Sequence, residues 1–146
     1  MQYQIDQSGK IEDTSRLTIV AFANGKAKSL KISAVEKQKL IKIIRMAEYP
    51  KKSFVFKIFA ALIFLLIKDE VVRSVVIDKE YLGNEMTIKN IILQLFRRVK
   101  LKEPEIDFDL IGKKSKAHQI AIDVFRGKRK PDMVVEAQDI LAIFYK

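Results

Sequence analysis

Alternating apolar and polar positions in the first quarter of the chain predict a β-sheet. Residues 3–6 and 16–23 are rich in β-branched and aromatic side chains, and the segment 27–32 alternates apolar with polar residues. Ser8-Gly9 and Asn24-Gly25 separate these runs, and both dipeptides are typical of turns. The pattern therefore predicts three consecutive antiparallel strands.

Helical signals follow the third strand. The sequence from Ser33 to Glu36, S-A-V-E, is a capping box and predicts a helix that Tyr49-Pro50 ends. The apolar stretch Phe54–Ile67 predicts a second helix. Residues 71–77, VVRSVVI, are mostly apolar at both odd and even positions, which predicts a fully buried fourth strand.

Strand and helix patterns alternate in the last third of the chain. Asn84 is a predicted helix N-cap, and apolar residues recur at helical spacing over 88–99. Residues 105–111 predict a fifth strand that is half exposed or at a sheet edge, since aspartates alternate with its apolar positions. Ser115 begins a predicted helix, and Pro131-Asp132 opens a last helix that runs through Phe144.

This order of elements predicts one α/β domain over residues 1–146. The expected sheet is mixed and has five strands, three antiparallel followed by two parallel, with helices on its faces. Hydrophobic residues make up 49% of the chain and charged residues 32%, which is typical of a globular protein.

The residue types present restrict the compartment and the kind of partner. The chain has no cysteine, which excludes disulfides and thiolate metal sites, and its first ten residues lack the pattern of a secretory signal. These features predict a cytoplasmic protein. The stretch Phe54–Ile67 contains Lys57 and is shorter than the roughly twenty residues of a membrane-spanning helix. We therefore expect no membrane partner, and a helix buried in the core or in a homodimer interface.

Basic residues are concentrated in one part of the chain. The formal net charge is +10, and residues 97–130 contain eleven Lys or Arg against five Asp or Glu. This excess predicts a nucleic-acid partner, DNA or RNA, although a lysine-rich surface without a partner would also explain it. The predicted phosphate contacts lie at the two ends of the helix that follows Ser115: Lys113, Lys114, Lys116, Arg126, Lys128, Arg129 and Lys130.

Acidic residues follow the most apolar strand and the first strand. Asp78 and Glu80 come directly after residues 71–77, and Asp6 ends the first strand. Carboxylates beside a buried strand are costly unless they share a cation, and Mg²⁺ or Mn²⁺ prefers oxygen ligands of this kind. The alternatives are a turn former at Asp6 and surface acids at the other two positions. Glu85 is a weaker candidate ligand, because the helix dipole alone favours an acid in the first turn.

The only histidine lies at the border of a predicted apolar helix face. His118 follows Ala117, which belongs to that face. A histidine at such a border suits a group that faces a cleft, where it would be a metal ligand or a proton shuttle. A partly buried helix histidine with no chemical role is the alternative.

Short motifs and the order of elements together resemble the ribonuclease H-like superfamily of nucleases and resolvases. The motif IDQSG carries Asp6 on the first strand, and VVIDKEY carries Asp78 at the end of the fourth. The segment KKSKAHQIAIDVF resembles a late helix of resolvase-like members, and VEAQDILAIF resembles a closing helix of nuclease-like relatives. The resemblance implies that Asp6 and Asp78 bind metal, helped by Glu80 and by His118 or Asp139.

The chain departs from that family pattern in two places. Gln7 stands where relatives often have an acid, and the acid expected on the first crossover helix has only Glu36 and Glu48 as candidates.

The sequence therefore predicts a metal-dependent nuclease or resolvase-type enzyme that hydrolyses phosphodiester bonds. A nucleic-acid-binding protein without catalysis, and an interaction subunit that uses the helix Phe54–Ile67, are the alternatives. Signatures of P-loop nucleotide hydrolases, dinucleotide-binding dehydrogenases, zinc proteases and serine hydrolases are absent.

Overall fold

One mixed α/β sheet organises the chain in the computed structural model, which describes residues 2–47 and 53–145. The strands are β1 (Gln2–Ser8), β2 (Thr18–Ala23), β3 (Ala27–Ile32), β4 (Ser74–Asp78), β5 (Glu105–Asp109) and β6 (Met133–Val135). The helices are α1 (Ala34–Ala47), α2 (Phe54–Ile67), α3 (Glu85–Arg98), α4 (Lys116–Phe125) and α5 (Ala137–Phe144). The predicted helix break at Tyr49-Pro50 and the candidate acid Glu48 lie outside the described residues.

The strands lie in the order β5-β4-β1-β2-β3-β6. The first three are antiparallel neighbours, as their sequence pattern predicts. β4 pairs with β1 in parallel, with Ile5 opposite Ile77, and β5 pairs with β4 in parallel at the sheet edge. The prediction of three antiparallel strands followed by two parallel ones is therefore confirmed.

The prediction of five strands is wrong, because a sixth strand lies where the last helix was expected to begin. β6 pairs in parallel with β3. Asp132 fixes this pairing: its carboxylate accepts a hydrogen bond from the Ser29 backbone N–H at 2.9 Å, and its own N–H donates to the Ser29 carbonyl at 3.0 Å. The last helix therefore begins only at Ala137.

The fourth strand is shorter and less buried than its apolar sequence predicts. It begins at Ser74, which pairs with Gln2, the residue at which β1 begins. Val71 lies before the strand and is 96% exposed. Val75 and Ile77 are buried, whereas Ser74 and Val76 are only half buried. The strand therefore has one core face and one partly open face.

Helix α2 lies in the main core, as predicted. Eleven of its fourteen residues are buried. They pack with α1, α3 and α5 against one face of the sheet, where Val20 and Phe22 of β2 meet them. Among the described residues, no helix is long and apolar enough to cross a membrane. A homodimer through α2 stays a prediction.

Helix α4 covers the opposite face of the sheet. Ile19 and Ala21 of β2 point to this side and contact a smaller cluster that includes Ala117, Ile120 and Ala121 of α4. Alternate residues of β2 thus serve two separate cores. This arrangement sets α4 beside β1, so residues of β1 that point away from the main core face α4.

Candidate metal centre

Adjacent parallel strands bring Asp6 and Asp78 together. Ile5 of β1 pairs with Ile77 of β4, and both side chains point into the main core. The next residue on each strand therefore points to the opposite face, where α4 lies. Glu80 follows two residues after Asp78. One carboxylate oxygen from each of the three acids lies within 4.8 Å of the others.

Asp6 is the most deeply buried member of this acidic cluster (Asp6, Asp78 and Glu80), with only 4% of its surface exposed. Its Oδ1 accepts a hydrogen bond from the Gln7 backbone N–H at 2.8 Å, and its Oδ2 lies 2.8 Å from His118 Nδ1. Burial raises the pKa of Asp6, and the charge of Asp78 adds to this effect, while the bonds from Gln7 and His118 oppose it.

Glu80 shows that the cluster carries more negative charge than its surroundings neutralise. Burial raises the pKa of Glu80 to about 7, and the negative charges of Asp78 and Asp6, together with a hydrogen bond to the Asp78 side chain, act in the same direction. The positive charge of Lys10 opposes the shift. Without a cation the cluster therefore favours a retained proton, in the position where a metal ion would neutralise the same charge.

Asp78 is held between two strand ends. Its Oδ1 accepts a hydrogen bond from the Ile111 backbone N–H at 2.9 Å. The neighbouring Lys79 N–H donates to the Asp109 carbonyl at 3.1 Å. These bonds connect the end of β4 to the segment that follows β5, so the Asp78 carboxylate does not depend on a metal ion for its position.

His118 faces the acidic cluster from the first turn of α4. Ser115 caps this helix, as predicted, by accepting a hydrogen bond from the His118 backbone N–H at 3.1 Å. The imidazole is half buried, with 28% of the side chain exposed. Nδ1 contacts Asp6, and Nε2 has no hydrogen-bond partner among the described residues. His118 can therefore orient Asp6 and still exchange a proton through its second nitrogen.

Asp139 lies away from the cluster. It is exposed on α5, which packs on the other face of the sheet, and its carboxylate accepts a hydrogen bond from the Glu136 backbone N–H at 2.8 Å. Glu136 and Asp139 together form the capping box of α5. The late acidic residue that the family resemblance implied thus has a helix-capping role here.

The weaker acidic candidates also bind helix ends. The Glu85 carboxylate accepts a hydrogen bond from the Gly83 N–H at 3.0 Å, while Asn84 makes no side-chain cap. Ser33 caps α1, but Glu36 does not complete the predicted box, because it accepts from the Ala137 N–H at 2.9 Å. Neither acid belongs to the metal-ligand group found among the described residues.

Two residues that contact the loop between β1 and β2 had not been selected from the sequence. The Tyr81 hydroxyl accepts a hydrogen bond from Gln7 Nε2 at 3.1 Å, and burial raises the pKa of Tyr81. Lys37 is wholly buried on α1, next to the loop that follows β1. A sequence signal for Lys37 existed, because with Leu40 and Ile44 it continues the apolar spacing of α1.

The predicted phosphate contacts are exposed at both ends of α4. This helix has ten residues and is therefore ~15 Å long. None of the seven basic side chains forms an ion pair with another described residue. Three of them lie at the end that carries His118, and four lie at the far end: Lys113, Lys114 and Lys116, then Arg126, Lys128, Arg129 and Lys130.

Comparison of the sequence with models of known protein families finds no match, and comparison with curated proteins finds none either. The functional interpretation therefore depends on the chemistry of the acidic cluster and on the residues around it.

Proposed function

We propose that this protein is a metal-dependent nuclease or resolvase-type enzyme of the ribonuclease H-like kind, which uses Mg²⁺ or Mn²⁺ to hydrolyse phosphodiester bonds. One observation carries the proposal. Three carboxylates, from Asp6 within β1, Asp78 at the end of β4 and Glu80 just after it, present oxygens within 4.8 Å of one another, beside a histidine. Hard divalent cations prefer this set of oxygen ligands.

The charge balance of the cluster supports a cation there. No Lys or Arg side chain forms an ion pair with Asp6, Asp78 or Glu80 among the described residues. The pKa of Glu80 is raised to about 7, mainly by burial and then by the neighbouring negative charges. A bound divalent ion would remove this repulsion and release the proton, so that metal affinity would rise with pH.

The roles of the residues follow from their positions. A bound Mg²⁺ or Mn²⁺ would supply an activated water and stabilise charge on the phosphate oxygens. Asp6 and Asp78 would hold the ion, since both carboxylates are fixed by backbone hydrogen bonds. Glu80 would be the third carboxylate ligand of the ion. His118 would orient Asp6 through Nδ1 and exchange a proton through the half-exposed side of its ring.

The topology supports a ribonuclease H-like assignment. One acid lies on the first strand and another at the end of a fourth strand that runs parallel to it. The position of Asp139 does not support this assignment. We therefore assign to His118 alone the site role that the family resemblance implies for a residue on a late helix. The strand β6 is an addition to the expected five.

The basic residues around α4 support a nucleic-acid substrate. Lys113, Lys114 and Lys116 surround the amino end of the helix that carries His118, where backbone N–H groups also favour an anion. A phosphate bound at this end would lie close to the acidic cluster. The four basic residues at the far end of α4 would contact the same strand of the nucleic acid or the complementary strand.

The test is Mn²⁺-dependent cleavage of single-stranded, duplex and junction substrates. Asp78→Asn and Asp6→Asn should each abolish cleavage, because the amide keeps the shape but loses the charge that binds the ion. Nucleic-acid binding should persist or tighten, since a negative charge facing the phosphates is gone. Asp69→Asn is the matched control, because Asp69 is an exposed acid whose one ion pair with a described residue is with Lys68.

The proposal of an enzyme is rejected if the wild type cleaves none of these substrates and calorimetry detects no binding of a divalent ion. If nucleic acid still bound with strong salt dependence, a binding protein without catalysis would replace the enzyme.

A further inference from the structure

The side chain of Lys37 is buried beneath the loop that joins β1 to β2. Among the described residues it is the one basic side chain with no exposed surface. Its Nζ donates to the carbonyl oxygens of Lys10 at 3.0 Å and Asp13 at 2.6 Å, and to Thr18 Oγ1 at 3.0 Å. An ammonium group has three protons to donate, and all three have an acceptor here.

The loop that Lys37 holds, residues 9–17, starts three residues after Asp6. Two of its carbonyl oxygens accept hydrogen bonds from the buried Lys37 ammonium group. A second bond from α1 acts on the same loop, since Gln38 Nε2 donates to the Thr14 carbonyl at 2.7 Å. The loop is therefore anchored from α1, and chiefly by a charge that is shielded from solvent.

The same loop contacts the segment that carries Glu80. Glu12 Oε1 lies 3.5 Å from the Tyr81 hydroxyl, and Ile11 is buried in the core cluster against which Tyr81 packs. The positive charge of Lys10 acts on Glu80. Contacts thus run from Lys37 through the loop to Tyr81, the residue next to Glu80.

We propose that Lys37 is a positioning residue for the acidic cluster. Its ammonium group fixes the loop against residues 79–81 and so keeps Glu80 at the spacing from Asp6 and Asp78 that a divalent cation needs. This inference deepens the proposed function and rests on it. Partners that orient metal ligands from outside the ligand set typically change metal affinity or activity 10–100-fold when they are replaced.

The decisive variant is Lys37→Met, which keeps an unbranched side chain and removes the ammonium group. Leu40→Ala is the matched control, because Leu40 is buried on the same helix but belongs to the main core. Both variants lose stability, and only Lys37→Met removes hydrogen bonds to the loop. Measurements are made at a temperature where circular dichroism shows each protein fully folded.

Two readouts are compared: Mn²⁺ affinity by calorimetry, and amide hydrogen exchange at residues 79–81 without metal. We expect Lys37→Met to weaken Mn²⁺ binding at least about tenfold and to speed exchange at these amides. Leu40→Ala should do neither. The inference is overturned if Lys37→Met matches the wild type in either readout, or if Leu40→Ala changes both as much.

Failure of the metal site itself gives a different result. If the wild type binds no Mn²⁺, the proposed function fails and hydrogen exchange alone decides the role of Lys37. Faster exchange at residues 79–81 in Lys37→Met, but not in Leu40→Ala, then supports the positioning role. Unchanged exchange overturns it.

Discussion

Replacing Glu80 with glutamine should change how the stability of the metal-free protein depends on pH. The ordinary pKa of this carboxyl is 4.5, and in the folded protein burial, followed by the charges of Asp78 and Asp6, raises it to about 7. Between these values the folded state binds more protons than the unfolded state. The free energy of unfolding of the wild type therefore falls as pH rises through this window.

The size of the effect follows from the two pKa values. A carboxyl whose pKa is 4.5 in the unfolded state and about 7 in the folded state lowers the free energy of unfolding by roughly 2–3 kcal/mol between pH 5 and pH 8. The glutamine side chain would carry no charge at either pH and resembles the protonated acid. Glu80→Gln should therefore match the wild type near pH 5 and exceed its stability by roughly 2 kcal/mol at pH 8.

Urea unfolding followed by circular dichroism, at pH 5 and pH 8 with a chelator present, measures this difference. Glu105→Gln is the control, because Glu105 is exposed at the start of β5, at the opposite end of the parallel strands. Between pH 5 and pH 8, Glu105→Gln should lose as much stability as the wild type. Equal pH dependence of the wild type and Glu80→Gln would refute the charge repulsion attributed to the cluster.

Adding Mn²⁺ should reduce the stability advantage of Glu80→Gln at pH 8. A ligand that binds only the folded state stabilises it by about 2.7 kcal/mol at a concentration of 100 times its Kd. The wild type should gain this amount, and Glu80→Gln should gain less because one ligand of the ion has been removed. A Mn²⁺ effect of equal size in both proteins would exclude Glu80 from the site.

Three further outcomes are expected. Asp139→Ala should leave Mn²⁺-dependent cleavage unchanged and lower stability by about 1 kcal/mol, because it removes the acceptor of the Glu136 N–H at the start of α5, as thermal unfolding would show; an inactive variant would contradict the capping role. Gly9→Ala should destabilise the fold by more than about 2 kcal/mol in urea, because Gly9 has a φ of +82° and an added Cβ would lie 2.3 Å from the Leu17 carbonyl oxygen; a neutral effect would show that the loop adapts. Replacing Lys113, Lys114 and Lys116 with alanine should weaken nucleic-acid binding and reduce its salt slope by roughly one unit for each phosphate that is no longer neutralised. Fluorescence anisotropy measured against salt concentration tests this, and an unchanged slope would show that the substrate binds elsewhere on the protein.

The strand arrangement could be predicted because its signals are local. Asn24-Gly25 lies between two strands of matching length, and the apolar run that ends at Ile77 suits a strand with parallel neighbours. The pairing of β1 with β4 then brings Asp6 beside Asp78. The proximity of these two carboxylates was expected from the family resemblance, whereas the border position of His118 predicted a side chain that faces a cleft without identifying Asp6 as its partner.

The features that the sequence pattern missed depend on contacts between distant residues. The strand β6 has only three residues, too few for an alternating pattern, and Ser29 fixes it through Asp132. The role of Asp139 depends on the backbone N–H of its own helix, which a motif comparison does not reveal. Lys37 lies at an apolar position of α1, and only the folded loop shows which oxygens it binds.

The central claim is that Asp6, Asp78 and Glu80 form a site for a divalent cation. The most direct measurement is an anomalous difference map from a crystal of the wild-type protein soaked in Mn²⁺. We predict a peak within coordination distance of carboxylate oxygens from Asp6 and Asp78, and its loss in Asp78→Asn crystals soaked in the same way. A map with no peak at these carboxylates, or with Mn²⁺ bound only elsewhere on the protein, would contradict the account.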